Sequence, residues 1–277
     1  MTRATHDAIG WVRDCVQSRI LAQIFTQRMN GLVIKGGMAM RVAHEKHARA
    51  TKDIDMDASQ DIPLATLQQI VRKAIEVSTR DQLLTNVKIT EPKQTETTSR
   101  WKVAGTDPRT GQILNLTVEI SRRDQIQEDD LRQLTYGCDK YEWVQVYKDE
   151  IIAFQKIKAL MSPTREAPRD ISDLYLLIQA SVQSPVPQLR QWLKAGGVAN
   201  LEQMWKKVER MDAQMFRAEV LPSLPPTPDG QYMYQDWEKI RLTVAEKVDQ
   251  WIKEASDEET QTESNTQSLH CSRRKFS

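Results

Sequence analysis

Two short segments constrain this chain more than anything else in it. The apolar run Leu32-Val33-Ile34 ends in Lys35-Gly36-Gly37-Met38, and a short distance later comes Asp53-Ile54-Asp55-Met56-Asp57. A buried strand followed by glycines can bring backbone N–H groups close to a phosphate, because glycine has no Cβ in the way. A strand with carboxylates at every second residue sets them on one face about 7 Å apart, with Ile54 and Met56 on the other. Carboxylates that close repel one another unless a cation lies beside them. The two segments together predict a sheet that holds divalent metal against a nucleoside triphosphate.

The surrounding pattern supplies the rest of that sheet. Residues 5–29 read as an amphipathic helix through Ile9, Val12, Val16, Ile20 and Ile24, stopped by Asn30-Gly31. After the Gly36-Gly37 turn a short helix carries Met38, Met40 and Val42, and a further helix is expected over 64–77 behind Pro63. Strands are expected at 87–90, 98–104 and 113–121, the last two separated by the turn Asp107-Pro108-Arg109-Thr110-Gly111. In the last strand Leu114, Leu116, Val118 and Ile120 share one face, and Asn115, Thr117, Glu119 and Ser121 share the other. Glu119 is thereby a third candidate carboxylate. Beyond Trp143 the pattern is read as helical, with helices at 149–161, 169–180, 186–195, 200–211 and 234–254 and a proline-rich loop at 222–230. From Ser256 the chain is polar and reads as a disordered tail. The expected organisation is α+β. A mixed β-sheet domain with flanking helices covers 1–145, a helical domain 146–255 and the tail 256–277.

The 39 basic and 38 acidic residues nearly cancel, so no global field steers the chain toward nucleic acid. Cys15, Cys138 and Cys271 have neither paired nor metal-ligand spacing, which fits free thiols in a reducing compartment. No run approaches the roughly 20 apolar residues of a membrane helix, and the N-terminus lacks an apolar signal core. The expectation is a cytoplasmic protein with no membrane partner. Trp143, Trp205, Trp237 and Trp251 can be core residues or part of an acceptor surface, and the core is the expectation.

The helical half adds a second set of charges. Lys156 and Lys158 lie about 200° apart on a helix, so only one can share a face with Ala153, Ile157 and Leu160, and Lys156 is the nearer. A partly buried lysine can clamp a phosphate as a point charge. Asp170, opening the next helix, can cap its first turn, accept from Lys156 or Arg165, or orient a nucleophile. For each feature a plainer explanation stands beside the functional one. The aspartates can be a solvated strand edge, Lys35 a solvated lysine, and Gly36-Gly37 an ordinary turn.

At these residues the chain resembles the AbiEii/AbiGii toxin family of nucleotidyltransferases, a branch of the polymerase-β-like superfamily. The matching pieces are Val33 to Arg41, Arg49 to Asp55, Thr117 to Ser121, Ile152 to Leu160, and Arg165 with Pro168 to Leu174, in that order. Met38 stands where the family often has threonine, and Ser172 where an aromatic residue is usual. The resemblance implies a nucleotidyltransferase-type sheet domain followed by a helical domain. Lys35, Gly36, Gly37, Thr51 and Lys156 would meet the nucleotide. Asp53, Asp55, Lys156 and Asp170 would be catalytic, and Asp53, Asp55 and Glu119 would hold Mg2+ or Mn2+. It further implies transfer of an NMP from an NTP to a hydroxyl of tRNA or protein, and a toxin of a toxin–antitoxin or phage-defence system with a cognate antitoxin. The alternative is a regulatory module that binds nucleotide or RNA without turnover.

Overall fold

The structure, a computed structural model, describes residues 3–80, 83–138, 141–224 and 234–273. Its backbone contacts divide the chain into a unit of residues 1–148 with 223–225 and a unit of 149–222 with 226–277.

The first unit runs α1 (Arg3–Phe25), β1 (Leu32–Lys35), α2 (Gly36–Ala43), β2 (Asp53–Ala58), α3 (Leu64–Arg80), β3 (Thr85–Gln94), β4 (Thr98–Thr106), β5 (Ile113–Ser121), β6 (Leu131–Tyr136) and β7 (Glu142–Tyr147). The strands form one sheet in the order β3-β4-β5-β2-β1-β7-β6. It is mixed: β2 pairs parallel with β5 and β1 with β7, and the other neighbours are antiparallel. One face is apolar. Ile34, Ile54, Met56, Trp101, Val118, Ile120 and Val146 are fully sequestered there, and Val12, Val16, Ile20 and Ile24 of α1 and Leu67, Val71 and Ile75 of α3 are buried as completely. Burying each such side chain stabilises the unit by about 1.5–3 kcal/mol. The pleat then sends the intervening residues of β2 and β5 to the opposite face, which is where the polar chemistry collects. On the edge strand β3, Pro92 sits where the register with β4 shifts between Thr90 and Lys93, the kind of place a residue without an N–H can occupy.

Several expectations need correction here. Residues 142–147 are strand β7 rather than the start of helix, and β6 had no counterpart in the sequence reading. Trp143, expected in the core, lies on β7 with 62% of its surface exposed, because Val144 and Val146 take the core face of that strand. Cys15 and Cys138 are joined by a disulfide across 123 residues, with Cα atoms 5.2 Å apart, so they are not the free thiols expected. The packing of α1 on β7 brings the two regions together, which spacing along the chain does not reveal. The cysteine argument for a reducing compartment falls with it.

The second unit runs α4 (Asp149–Met161), α5 (Pro168–Gln179), α6 (Val186–Lys194), α7 (Leu201–Arg210), α8 (Ala213–Glu219) and α9 (Tyr234–Arg273). Trp237 of α9 is fully buried, stacks on Phe216 at 4.7 Å and donates its indole N–H to Met211 O at 2.7 Å. The polar run 256–273, expected to be disordered, continues the backbone of α9. Polarity in the sequence measures the absence of an apolar stripe, not the absence of helix. Residues 274–277 of the expected tail, and 225–230 of the expected loop, lie outside the described residues. Among the described residues no helix is long and apolar enough to cross a membrane.

Candidate active site

The glycine turn and the aspartate strand meet. Lys35 of β1 pairs in register with Asp55 of β2, so the chain leaving β1 turns directly over that carboxylate. Gly36 takes φ +63°, and a Cβ placed on it would lie 3.0 Å from Asp55 Oδ2. Both facts call for glycine: the left-handed backbone and the close approach. A Cβ on Gly37 would lie 3.1 Å from Arg49 Nη2 and 3.2 Å from Thr51 Oγ1. Gly36, Gly37, Asp55, Thr51 and Arg49 therefore form one neighbourhood. Thr51 also receives the Asp53 N–H on its hydroxyl at 3.3 Å, and its carbonyl accepts from Gln17 Nε2 at 3.2 Å.

Asp53 and Asp55 are half-buried on the polar face, and β5 lies alongside with Thr117 opposite Asp53 and Glu119 opposite Asp55. The Glu119 carboxylate is held from the far side by Arg100 of β4, whose Nε donates at 2.6 Å. Asp57, the third aspartate of the alternation, is only 1% exposed. It accepts from Lys35 Nζ and, at 3.0 Å, from the Tyr147 hydroxyl. Burial pushes its carboxyl above the ordinary carboxylate range; Lys35 and Tyr147 pull it back without cancelling that. The Lys35 ammonium, expected at the phosphates, donates to Asp57. Among the described residues no three Asp, Glu, His or Cys side chains gather into a metal cluster. Glu119 is paired with Arg100, and Asp57 with Lys35. Asp53 and Asp55 beside the glycine turn fit magnesium, which binds through one or two carboxylates and takes its other ligands from phosphate and water.

In the second unit, Lys156 is 6% exposed and Lys158 is exposed, as the helical geometry required. Lys156 Nζ donates to Asp170 at 2.9 Å and to Asp173 at 2.6 Å, and Arg165 Nε donates to Asp170 at 2.8 Å. Of the roles open to Asp170, accepting from Lys156 and Arg165 is the one seen; the N-cap of α5 is Ala167, with no side-chain cap. Burial raises the Asp170 carboxyl, but the two cations outweigh it and hold it below the ordinary range. One residue here went unnoticed in the sequence. Lys207 is 1% exposed and donates to the carbonyls of Leu160, Ser162 (2.8 Å) and Arg165 (3.1 Å), tying the end of α4 to the loop that carries Arg165. Burial lowers its ammonium from the ordinary value. A signal existed: Lys207 falls on the stripe of Met204, Val208 and Met211, where a solvated lysine does not belong.

The AbiEii family model, described as a nucleotidyl transferase AbiEii toxin of a type IV toxin–antitoxin system, matches residues 19–250. The chain belongs to that family. It is a nucleotidyltransferase of the toxin class, and the family's type IV toxin–antitoxin setting implies an antitoxin partner. Two crystal structures from Helicobacter pylori share the fold. JHP933 aligns with TM-score 0.52 and 18% identity over 92% of this chain and 96% of its own. The other, assigned as a nucleotidyltransferase, aligns with TM-score 0.52 and 17% identity over 93% and 98%. No curated protein matches the chain.

Proposed function

We propose that this family member transfers an NMP unit from an NTP to a hydroxyl acceptor with Mg2+ or Mn2+, and that this is the toxic activity of a phage-defence or toxin–antitoxin pair. The observation that carries the reading is the approach of Gly36 to Asp55, with Gly37 against Arg49 and Thr51. A polyanion fits there only if cations offset the aspartates. Asp53 and Asp55 would hold the metal, with Glu119 joining once released from Arg100. Bound metal would neutralise charge at the α-phosphate and lower the pKa of the attacking hydroxyl. The backbone N–H groups of Gly36 and Gly37 and the Thr51 hydroxyl would orient the triphosphate, so that the acceptor oxygen bonds to the α-phosphorus as pyrophosphate leaves. The family resemblance further assigns Lys156 to the triphosphate and Asp170 as a catalytic carboxylate; within the helical unit the two form a buried pair. Lys35, engaged by Asp57, is assigned to holding β1 against β2. Positioning and electrostatics supply the rate, since no covalent enzyme intermediate is needed.

The test is incubation with each α-labelled NTP, with magnesium or manganese, in the presence of total tRNA or of protein. Label is expected on one acceptor class. Asp55→Asn is expected to reduce transfer by about a hundredfold or more, as loss of a charge-stabilising group does. No transfer from any NTP, or full activity in Asp55→Asn, contradicts the reading.

A further inference from the structure

Glu119 stands between a carboxylate and a cation on one sheet face. The strand registers put Asp55 of β2, Glu119 of β5 and Arg100 of β4 directly opposite one another, in one row across three neighbouring strands. Gln68 of α3 donates to Gln94 and Ser99, so Ser99 points to the helices, and the alternation sends Arg100 to the polar face. Neighbouring strands lie about 4.8 Å apart, so the Glu119 carboxylate can turn toward Asp55 on one side or Arg100 on the other. It is turned to Arg100. Nε, at 2.6 Å, and Nη2 both donate to the same oxygen, Oε2. Two residues away along each strand, the row Asp53–Thr117–Lys102 has a neutral threonine in the middle, so no carboxylate there can change sides. The exchange at Glu119 also strands no buried charge. The side chains of Arg100 and Glu119 are 39% and 30% exposed, so water can replace Glu119 on Arg100.

We propose that Arg100 and the divalent cation compete for Glu119, so that Arg100 sets how tightly the site holds its cation. The inference rests on the function proposed above. With Glu119 on Arg100, Asp53 and Asp55 are the carboxylates left to the cation. Turned the other way, Glu119 adds a third carboxylate beside Asp55 and gives up Arg100. Linkage makes the effect reciprocal: a cation that draws Glu119 loosens the Arg100 pair, and the pair weakens cation binding by the same factor. The rival explanation is that Arg100 aims Glu119 at the cation from behind. That arrangement predicts the opposite sign, a loss of about 10- to 100-fold in cation affinity when Arg100 is removed.

The sign is read from Mn2+ binding, followed by the EPR signal of the free ion, and from the Mn2+ concentration that gives half-maximal transfer of label. Arg100→Gln is expected to tighten Mn2+ binding about two- to fivefold, the worth of a partly exposed ion pair. Lys102→Gln removes a cation from the same strand face with no carboxylate opposite, and should tighten binding less. Arg100→Lys keeps the charge and guards against a folding defect in Arg100→Gln; its affinity should fall between those of the wild type and Arg100→Gln. In a Glu119→Gln background, Arg100→Gln should do no more than Lys102→Gln does, because the contested carboxylate is gone. Weaker or unchanged Mn2+ binding in Arg100→Gln, or a gain no larger than that of Lys102→Gln, overturns the inference; with transfer by the wild type intact, the transferase reading still stands. A wild-type protein that neither binds Mn2+ nor transfers label overturns both.

Discussion

Two buried aspartate–lysine pairs, one in each unit, use the same chemistry to opposite effect. In the sheet unit Asp57 is met by Lys35, whose side chain is 24% exposed, and by the neutral hydroxyl of Tyr147. In the helical unit Asp170 is met by Lys156, itself buried, and by Arg165. Burial raises both carboxyls. It wins at Asp57, where a single partly solvated cation opposes it, and loses at Asp170, where two cations do. Water screens the Lys35 charge and leaves that of Lys156 intact, so an ion pair of similar length is worth less in the first place than in the second. The α4–α5 cluster is thus built to keep its charges, whereas the sheet keeps Asp57 at a cost.

Removing the buried cation tests this most severely. Lys156→Met leaves Asp170 and Asp173 sequestered with Arg165 as their neighbour, and should cost about 3–5 kcal/mol of stability by urea unfolding. Lys35→Met should cost about 1 kcal/mol or less, as partly exposed pairs do. Equal losses would break the comparison. The next effect is one of pH. Asp170 has a folded pKa below its unfolded value, so its stabilisation is fully present above the unfolded pKa of about 3.9 and is lost as pH falls through the lower folded pKa. Asp170→Asn lacks that contribution. Urea melts of the two proteins should differ by a constant amount from pH 7 to about pH 5 and converge below about pH 4. A gap that stays constant down to pH 2.5 would mean that Asp170 draws nothing from Lys156 and Arg165.

The sequence displayed these two regions unequally. Glycine turn, aspartate alternation and the apolar face of β5 were legible because each is a local pattern whose period sets its geometry. Lys156 was separable from Lys158 by helix angle alone. What the sequence could not give was commitment. Asp57 shares the face of Asp53 and Asp55, but the diagonal reach of Lys35 and the arrival of Tyr147 from β7, both of which engage it, are not visible in the strand pattern. Glu119 was placed correctly beside Asp55, but Arg100 lies on another strand, and its hold on that carboxylate needs the β4–β5 register. Strands β6 and β7, an antiparallel pair adjacent in the chain, were missed together, although Val144 and Val146 alternate with Trp143 and Gln145 as a strand does. Helix α8 had a readable start: Asp212 caps it, accepting from Gln214 N at 2.8 Å and Met215 N at 2.9 Å.

The smallest expected effect is the most discriminating. Asp57→Asn keeps the shape of the side chain and an oxygen for the Tyr147 hydroxyl, and removes the charge that burial disfavours. A carboxyl whose folded pKa is raised is most favourable to the fold when protonated, and that advantage is lost as pH rises through the folded pKa. At pH 7 the neutral amide therefore relieves a cost while giving up the Lys35 contact, and the net change should be within about 1 kcal/mol in either direction. Lys35 is exposed enough to take water in place of Asp57. Asp57 also lies outside the proposed metal set, so Asp57→Asn should retain transfer where Asp55→Asn does not, although both stand on one strand face. A large loss of stability would make the Lys35–Asp57 pair the equal of Lys156–Asp170. A loss of transfer as deep as that of Asp55→Asn, with stability intact, would return Asp57 to the metal site.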